Sequence, residues 1–279
     1  MGIGDELEAL DPHTGDQQWS IDLPGSSSNG QIRVFDGTVY VAGGGSISAI
    51  DASEEELVWS EEASDHRDIA IDGDGHVYVA RELVEREDWR WDSFDGDSGD
   101  HRWEYEPDEE IETPRSGVVI YDEKLYSLAN EELLEFDTES GDVERLFEYR
   151  NLTTPARPVI VNDLAITSTD GSLDLQDPLL VYDLESEEGI DDFNVDTSSL
   201  DPYGPQVASD TLYVWQGAPG ATDDLRAIDL ETTEYKWEYD RAEQSDERID
   251  VVGYAVLEES IVFSSVQPEY REVAVLESA

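Results

Sequence analysis

The chain contains no cysteine and few basic residues. Without cysteine it cannot form disulfides, thiolate nucleophiles or zinc sites built on thiolates. Its 16 lysines and arginines, with Lys124 and Lys236 as the only lysines, provide no basic stripe that could meet nucleic-acid phosphates. The sequence also lacks an apolar run of about 18 residues and a charged–apolar–small leader. We therefore expect neither a membrane-spanning helix nor a signal peptide within it.

Acidic residues are as abundant as basic ones are scarce. The 279 residues include 70 aspartates and glutamates, and the formal net charge is −54. So high a charge can indicate disorder, but 7 tryptophans, 13 tyrosines and alternating valine and isoleucine indicate a folded β-protein. An acidic surface almost free of lysine is typical of proteins from extreme halophiles, because molar salt screens repulsion over a few ångströms. We expect the acidic runs to be solvated loops.

A short pattern recurs along the whole chain. It is clearest over residues 9–19, which read A-x-D-x-x-T-G-x-x-x-W from Ala9 to Trp19. The aspartates that open successive copies lie 40 to 46 residues apart: Asp11, Asp51, Asp95, Asp137, Asp183 and Asp229. We expect residues 275–277 to belong to a seventh copy that the chain end cuts off. A fixed period of this length predicts one supersecondary unit per copy.

Each copy reads as four short strands. In residues 32–60 the apolar runs are 32–35, 38–42, 47–50 and 57–59, and Asp36-Gly37 forms a tight turn between the first two. Four strands per copy predict an all-β fold, a β-propeller of four-stranded antiparallel blades over residues 1–279 as one domain. We expect seven blade positions with incomplete first and last blades. The alternative is six blades closed by the termini, in which the strand at 18–21 completes the last blade.

The residues of the pattern have structural tasks. Asp11 can accept hydrogen bonds from backbone N–H groups of the turn that it opens, and Gly15 supplies a positive φ. Trp19 begins the outermost strand, where its indole can cover the small Ala9 and pack between blades. We expect the same of Trp59, Trp103 and Trp237, and we expect the acidic segments 72–75 and 95–100 to be turns rather than calcium loops. The four histidines show no ligand spacing, so no metal site and no catalytic set is predicted.

This pattern resembles the tryptophan-docking motif of the quinoprotein-like, or pyrrolo-quinoline-quinone repeat, propellers. That superfamily includes quinoprotein alcohol dehydrogenases and BamB-type outer-membrane assembly lipoproteins. The resemblance implies what a quinone-dependent member of this superfamily would contain. Such an enzyme holds its cofactor over a central floor of tryptophans together with a calcium ion, and several of these enzymes also have a vicinal disulfide. Because the tryptophans here occupy mostly outer-strand positions and cysteine is absent, we expect neither quinone nor calcium as a cofactor.

The strand directions indicate which side of the propeller would carry a site. The loops between blades, and those between second and third strands, are long and share one face, and propellers usually bind at that face. Arginines just before the innermost strands there could form a cationic collar able to grip a carboxylate or phosphate. The alternative is that each arginine pairs with a neighbouring acid. The collar candidates are Arg67, Arg115, Arg157 and Arg248, with Tyr203 at the corresponding place in another blade.

These features favour a non-catalytic binding or scaffolding propeller, with a protein or a small anionic ligand bound on the long-loop face. One alternative is the relic of a quinone- or metal-dependent oxidoreductase, and another is the sensor domain of a longer protein. The abrupt start suggests a truncated reading frame. We expect a parent that was exported and lipid-anchored, or otherwise a cytoplasmic protein.

Overall fold

The alternating apolar residues of each copy form antiparallel strands in the computed structural model. The structure describes residues 6–24, 31–43, 45–62, 65–82, 89–107, 117–129, 132–148, 158–168, 179–190, 205–216, 224–240, 250–256, 260–266 and 271–277. Of these, residues 65–67, 82, 148, 168, 179–180, 215–216, 224, 240, 250–256, 260, 262–266 and 271–277 are described by their backbone alone. The chain divides into two compact units, Met1–Leu146 and Phe147–Ala279.

The first unit contains a two-stranded sheet followed by four-stranded sheets. The first sheet pairs β1 (Glu6–Leu10) with β2 (Gln17–Asp22). The second comprises β3 (Gln31–Phe35), β4 (Thr38–Gly43), β5 (Ser46–Asp51) and β6 (Glu56–Glu62). The third comprises β7 (Asp65–Ile71), β8 (Val77–Glu82), β9 (Trp89–Phe94) and β10 (His101–Tyr105). The fourth comprises β11 (Val118–Tyr121), β12 (Lys124–Ala129), β13 (Glu132–Asp137) and β14 (Val143–Glu148), and the boundary between the units falls within β14.

The second unit continues the same strand order. The fifth sheet comprises β15 (Val159–Val161), β16 (Leu164–Ser168), β17 (Leu179–Asp183) and β18 (Glu188–Gly189). The sixth comprises β19 (Gln206–Ala208), β20 (Thr211–Gln216), β21 (Asp224–Asp229) and β22 (Tyr235–Asp240). The seventh has three described strands, β23 (Asp250–Val256), β24 (Ser260–Val266) and β25 (Arg271–Glu277). The predicted all-β fold of four-stranded antiparallel units is confirmed, whereas the number of blades, their closure and the single domain stay predictions.

Tight turns join the first and second strands of several sheets. Asp36 and Gly37 have φ of 44° and 83°, and Asp122 and Glu123 have φ of 46° and 62°. Two consecutive residues with positive φ define the type I′ turn, whose twist matches that of the flanking strands. The predicted Asp36-Gly37 turn is therefore confirmed.

The core lies between successive sheets, as expected for blades. Within the first unit the first strands β3, β7 and β11 are neighbours in turn, and within the second unit so are β15, β19 and β23. Tyr40 and Trp59 of the second sheet pack with Ile69 and Phe94 of the third in one buried cluster. Equivalent clusters join the third sheet to the fourth and the fifth to the sixth. The second and third sheets thus bury both of their faces against neighbouring sheets.

Across the ranges given above, the structure contains no helix of the length and apolarity needed to cross a membrane.

Candidate functional site

The aspartate of each copy holds its own turn together. Asp11 Oδ1 accepts hydrogen bonds from the N–H groups of His13 at 2.8 Å and Thr14 at 2.9 Å. Backbone N–H groups of the turn bond in the same way to Asp51, Asp95, Asp137, Asp183 and Asp229. These backbone hydrogen bonds are the main reason why the pKa of each carboxyl group lies below its ordinary value. The predicted task of the aspartates is confirmed.

The fifth residue of each turn needs a positive φ. Gly15, Gly99 and Gly141 have φ of 75°, 74° and 76°, as the sequence predicts. In the other copies a residue with a side chain adopts φ of 57° at the same place, and these residues are Glu55, Glu187 and Thr233. The left-handed region is strained for such residues, so these turns hold their shape against a local cost. The sequence motif did not predict these strained residues, because the glycine that marks the fifth position is absent from those copies.

Two tryptophans dock onto the turn of the next sheet. The indole Nε1 of Trp59 donates to the carbonyl of Gly96 at 2.7 Å, and that of Trp103 donates to the carbonyl of Thr138 at 2.9 Å. Trp103 stacks on Phe136 with the ring planes 6° apart. Both tryptophans are buried, and Trp59 is the Cα partner of Ala49, so the predicted covering of a small residue is confirmed. Docking joins the second sheet to the third and the third to the fourth.

The other two motif tryptophans differ. Trp19 is half-buried and packs on a cluster that Leu7 shares with Val41 of the second sheet, so it lies at a seam as predicted. Trp237 is 39% exposed, and its described ring contact is with Tyr213 of its own sheet. Nearly all side chains of the following sheet lie outside the described residues, so packing of Trp237 at a seam stays a prediction.

A buried ionic network on the third sheet was missed from the sequence. The Asp92 carboxylate is fully buried and accepts hydrogen bonds from Arg81 Nε and Arg90 Nε at 2.8 Å each, and it lies 2.7 Å from His101 Nε2. Arg81 also donates to the carbonyl of Glu62 in the second sheet. The network therefore fixes the second sheet to the third. The alternation of charged residues with Trp89 and Trp91 along β9 was the signal that could have found it.

The same network contains a set of possible metal ligands. Ligand atoms of Asp92, His101 and Glu104 all lie within 4.8 Å of one another, although the histidines show no ligand spacing in the sequence. Arg90 is bonded to both carboxylates, at 2.8 Å to Asp92 and at 2.7 Å to Glu104. A cation would have to compete with this guanidinium, so the geometry supports an ion-pair network rather than a metal centre.

A cleft of about 470 Å³ opens between the turns of the third and fourth sheets. At its base the Tyr78 hydroxyl donates to Asp72 at 2.6 Å, and Arg102 donates to the Thr138 carbonyl at 3.2 Å. Burial raises the pKa of Tyr78, and the Asp72 carboxylate adds to that effect. Burial would raise the pKa of Asp72, but hydrogen bonds from Tyr78 and His76 leave it below its ordinary value. These polar groups tie the two sheets together, and segment 72–75 is a turn as predicted.

The predicted arginine collar cannot be placed. Arg115, Arg157, Tyr203 and Arg248 lie outside the described residues, and Arg67 is described by its backbone alone. In β7 the register shifts between His66 and Asp68, so Arg67 is the extra residue of a β-bulge. The long loops predicted to surround the collar also fall largely outside the described residues. The collar stays a prediction.

One arginine of an innermost strand is described and was not singled out in the sequence. Arg33 on β3 donates to Asp68 on β7 at 2.7 Å, and Asp68 is buried. This pair joins the innermost strands of the second and third sheets. It shows that an arginine at this radial level can be paired with its own carboxylate.

The tryptophans do not lie where a quinone cofactor would need them. Apart from Trp215 on the second strand of its sheet, they lie on the third or fourth strands of four-stranded sheets or on β2 of the first sheet. Trp59 and Trp103 are occupied in docking, and Trp91 packs between Phe136 and Tyr105. A floor of tryptophans at the centre does not fit this arrangement.

Comparisons with known proteins agree with the repeat. A family model described as outer membrane protein assembly factor BamB matches residues 4–175. The crystal structure of BamB from Moraxella catarrhalis is similar with a TM-score of 0.65 and 16% identity, covering 94% of this chain and 74% of that one. Dihydro-heme d1 dehydrogenase NirN in complex with DHE is similar with a TM-score of 0.69 and 11% identity, covering 99% of this chain and 59% of that one. None of the curated proteins matches. The likeness to these structures shows the fold alone.

Proposed function

Because the chain belongs to the family of the outer membrane protein assembly factor BamB, we propose that it is a non-catalytic scaffold that binds a protein partner. We also propose that this binding requires neither a quinone nor calcium. The proposal rests on family membership and on the hydrogen bonds that the recurring polar residues make within the repeat.

The observation that carries the proposal is the structural commitment of the repeated motif. Each motif aspartate accepts N–H groups of its own turn, and the docked indoles of Trp59 and Trp103 donate to the next turn. These hydrogen bonds give the recurring residues a structural task within the repeat. A rigid repeat that presents long loops is suited to binding another protein.

The long-loop face is the proposed place of binding. The sequence puts Arg115, Arg157 and Arg248 just before innermost strands at that face, with Tyr203 at the corresponding place in another blade, and Arg67 lies within the innermost strand β7. In a chain of net charge −54, clustered guanidinium groups could hold an acidic segment that the remaining surface repels. The partner chemistry proposed is therefore a protein segment with exposed carboxylates.

The test compares the binding of two triple variants to a library of acidic peptides in molar potassium chloride. Binding is measured by pull-down and by calorimetry. Arg67→Gln, Arg115→Gln and Arg157→Gln together should leave the circular dichroism spectrum unchanged and abolish binding. The matched control changes Arg33, Arg145 and Arg226 to glutamine, because these arginines are already paired with carboxylates. Equal loss of binding in both variants, or no loss in the first, would overturn the collar as the binding site.

A further inference from the structure

The cleft between the third and fourth sheets contains an arginine that no described carboxylate pairs with. Arg102 lines the cleft and is partly buried. Its described hydrogen bonds all leave from Nη1, and the acceptors are the Tyr78 hydroxyl at 3.3 Å, Ser93 Oγ at 3.1 Å and the Thr138 carbonyl at 3.2 Å. Its Nε and Nη2 have no described partner, and neither atom is sealed in the interior. These N–H groups can therefore donate to a ligand in the cleft.

In this respect Arg102 differs from every other arginine and lysine whose side chain the structure describes. The others each lie 2.7 to 3.5 Å from a carboxylate oxygen, and they are Arg33, Arg81, Arg90, Arg145, Arg226, Lys124 and Lys236. With 70 acidic residues against 16 basic ones, an arginine without a carboxylate is unusual in this chain. A guanidinium group matches a carboxylate through two parallel N–H···O bonds. The missing carboxylate can come from a ligand.

The rim of the same cleft carries carboxylates that no described basic residue meets. Asp74, Asp122 and Glu139 line the cleft and are exposed, and none of them has a basic partner in the part of the chain that the structure describes. In a chain of net charge −54 this rim repels a ligand that is only anionic and attracts an ammonium group. One cation at the base and several anions at the rim fit a ligand that carries both charges.

The docking of tryptophans does not require this cleft. At the seam between the second and third sheets, Val58 occupies the place before the docked tryptophan that Arg102 occupies in the next sheet. The turn there presents Gly96, and a Cβ on this glycine would stand 2.6 Å from the Tyr40 hydroxyl. Trp59 nevertheless donates to the Gly96 carbonyl. Docking thus succeeds without an arginine and without space beside the turn, so it explains neither feature of the cleft.

We propose that this cleft binds a small zwitterion, a free amino acid or a dipeptide. The ligand carboxylate accepts hydrogen bonds from Arg102, and its ammonium group lies among the three rim carboxylates. The cleft volume of about 470 Å³ is within the range of small-molecule sites, roughly 300–1,000 Å³. The site lies at the short turns of its sheets, away from the long-loop face, so it does not depend on the protein partner proposed above.

The experiment titrates the full chain with L-alanyl-L-alanine by calorimetry, at the lowest potassium chloride concentration that keeps the circular dichroism spectrum native. L-alanine is titrated alongside, and binding of either zwitterion satisfies the proposal. Two blocked probes separate the charges, because the N-acetylated dipeptide lacks the ammonium group and the dipeptide amide lacks the carboxylate. We expect each blocked probe to bind about tenfold or more weakly than the zwitterion, because each loses one charge pair.

Two sets of variants assign the charges to residues. Arg102→Gln should weaken binding of the zwitterion about tenfold or more, and Arg102→Lys should restore part of the affinity because the positive charge returns. Asp122→Asn together with Glu139→Gln should weaken binding of the zwitterion but not of the N-acetylated dipeptide, since the rim then repels a lone carboxylate less. Both rim side chains are exposed, so this double variant should keep the stability of the parent.

Matched controls separate binding from general effects of charge. Arg145→Gln changes an exposed arginine of the fourth sheet that already pairs with Glu132. Asp36→Asn changes the aspartate at the same turn position in the second sheet, where φ is 44° against 46° for Asp122. Both should leave the dissociation constants unchanged.

Three results would overturn the proposal. The first is the absence of binding by either zwitterion at millimolar concentration. The second is a blocked probe that binds as tightly as the zwitterion. The third is a folded Arg102→Gln variant with the affinity of the parent. If Arg102→Gln does not fold, the rim variant decides, and an unchanged affinity for the zwitterion in Asp122→Asn with Glu139→Gln contradicts the proposal.

Discussion

The indole of Trp103 lies directly against Gly141 of the next sheet, so that a Cβ on this glycine would stand 2.7 Å from the ring. Gly141 also has φ of 76°. The glycine is therefore required twice, by its backbone conformation and by the ring that covers it. Gly15 has the same φ but nothing against it among the described residues, which separates the two requirements.

We expect Gly141→Ala to destabilise the fold more than Gly15→Ala does. Both variants place a Cβ in the left-handed region, at a cost of about 1–2 kcal/mol. Only Gly141→Ala also forces the docked indole to move, which adds about 1–3 kcal/mol for an overpacked core. The measurement is the free energy of unfolding of both variants, determined with denaturant in molar potassium chloride at high dilution. Equal losses would mean that the indole does not rest on this glycine.

Truncating a docked tryptophan should be far more costly than truncating an exposed one. We expect Trp103→Ala to cost about 3–5 kcal/mol, since a buried ring is lost and the Thr138 carbonyl loses its donor. Trp237→Ala should cost much less, because the indole is 39% exposed. Thermal unfolding of both variants in the same buffer makes the comparison. If Trp237→Ala proved as harmful as Trp103→Ala, its indole would be buried in solution.

The repeat made most of the fold predictable from the sequence. Four runs per copy, with Asp36-Gly37 and Asp11 to Gly15 as turn signals, depend only on local backbone chemistry, and local rules suffice for hairpins. The position of Trp59 opposite Ala49 likewise follows from the spacing of the motif.

What the sequence could not give depends on contacts between distant segments. Glu55 adopts a positive φ because the turn requires it, although its side chain disfavours that region. Asp92 is buried because Arg81 and Arg90 surround it, and no short motif records such a cluster. Trp237 carries the same motif as Trp59, yet its burial is decided by the presence of a neighbouring turn.

The Asp229 carboxyl should titrate with a pKa of about 2, below the ordinary 3.8, because the Thr232 N–H and then Lys236 favour its ionised form. A folded-state pKa below the unfolded one contributes stability that is complete above about pH 4 and is lost as the pH falls towards 2. Carbon NMR titration in high salt measures the value, and Asp229→Asn should flatten the dependence of stability on pH in that window. A carboxyl that titrates at its ordinary pKa would contradict the turn geometry.

Breaking the ionic network around Asp92 should destabilise the fold more than breaking an exposed ion pair, because the Asp92 carboxylate is buried. Asp92→Asn leaves the guanidinium groups of Arg81 and Arg90 without their shared counter-charge, and removing one partner of a buried pair costs about 3–5 kcal/mol. The control is Glu104→Gln, because this carboxylate also binds Arg90 but is about half exposed, and such pairs contribute about 0–1 kcal/mol. Chemical unfolding of both variants provides the comparison. A loss for Asp92→Asn no larger than that of the control would show that water reaches the network.

The native state itself should depend on salt. The 70 acidic residues far outnumber the 16 lysines and arginines, so the excess negative charges repel one another wherever screening is weak. At about 10 mM salt the Debye length is roughly 30 Å, and repulsion then acts across the whole molecule. We expect circular dichroism and tryptophan fluorescence to show unfolding as potassium chloride is removed and refolding when it is restored. Sodium chloride at the same ionic strength should act alike if screening is the cause, and a native spectrum retained at about 10 mM salt would refute the interpretation of this chain as salt-adapted.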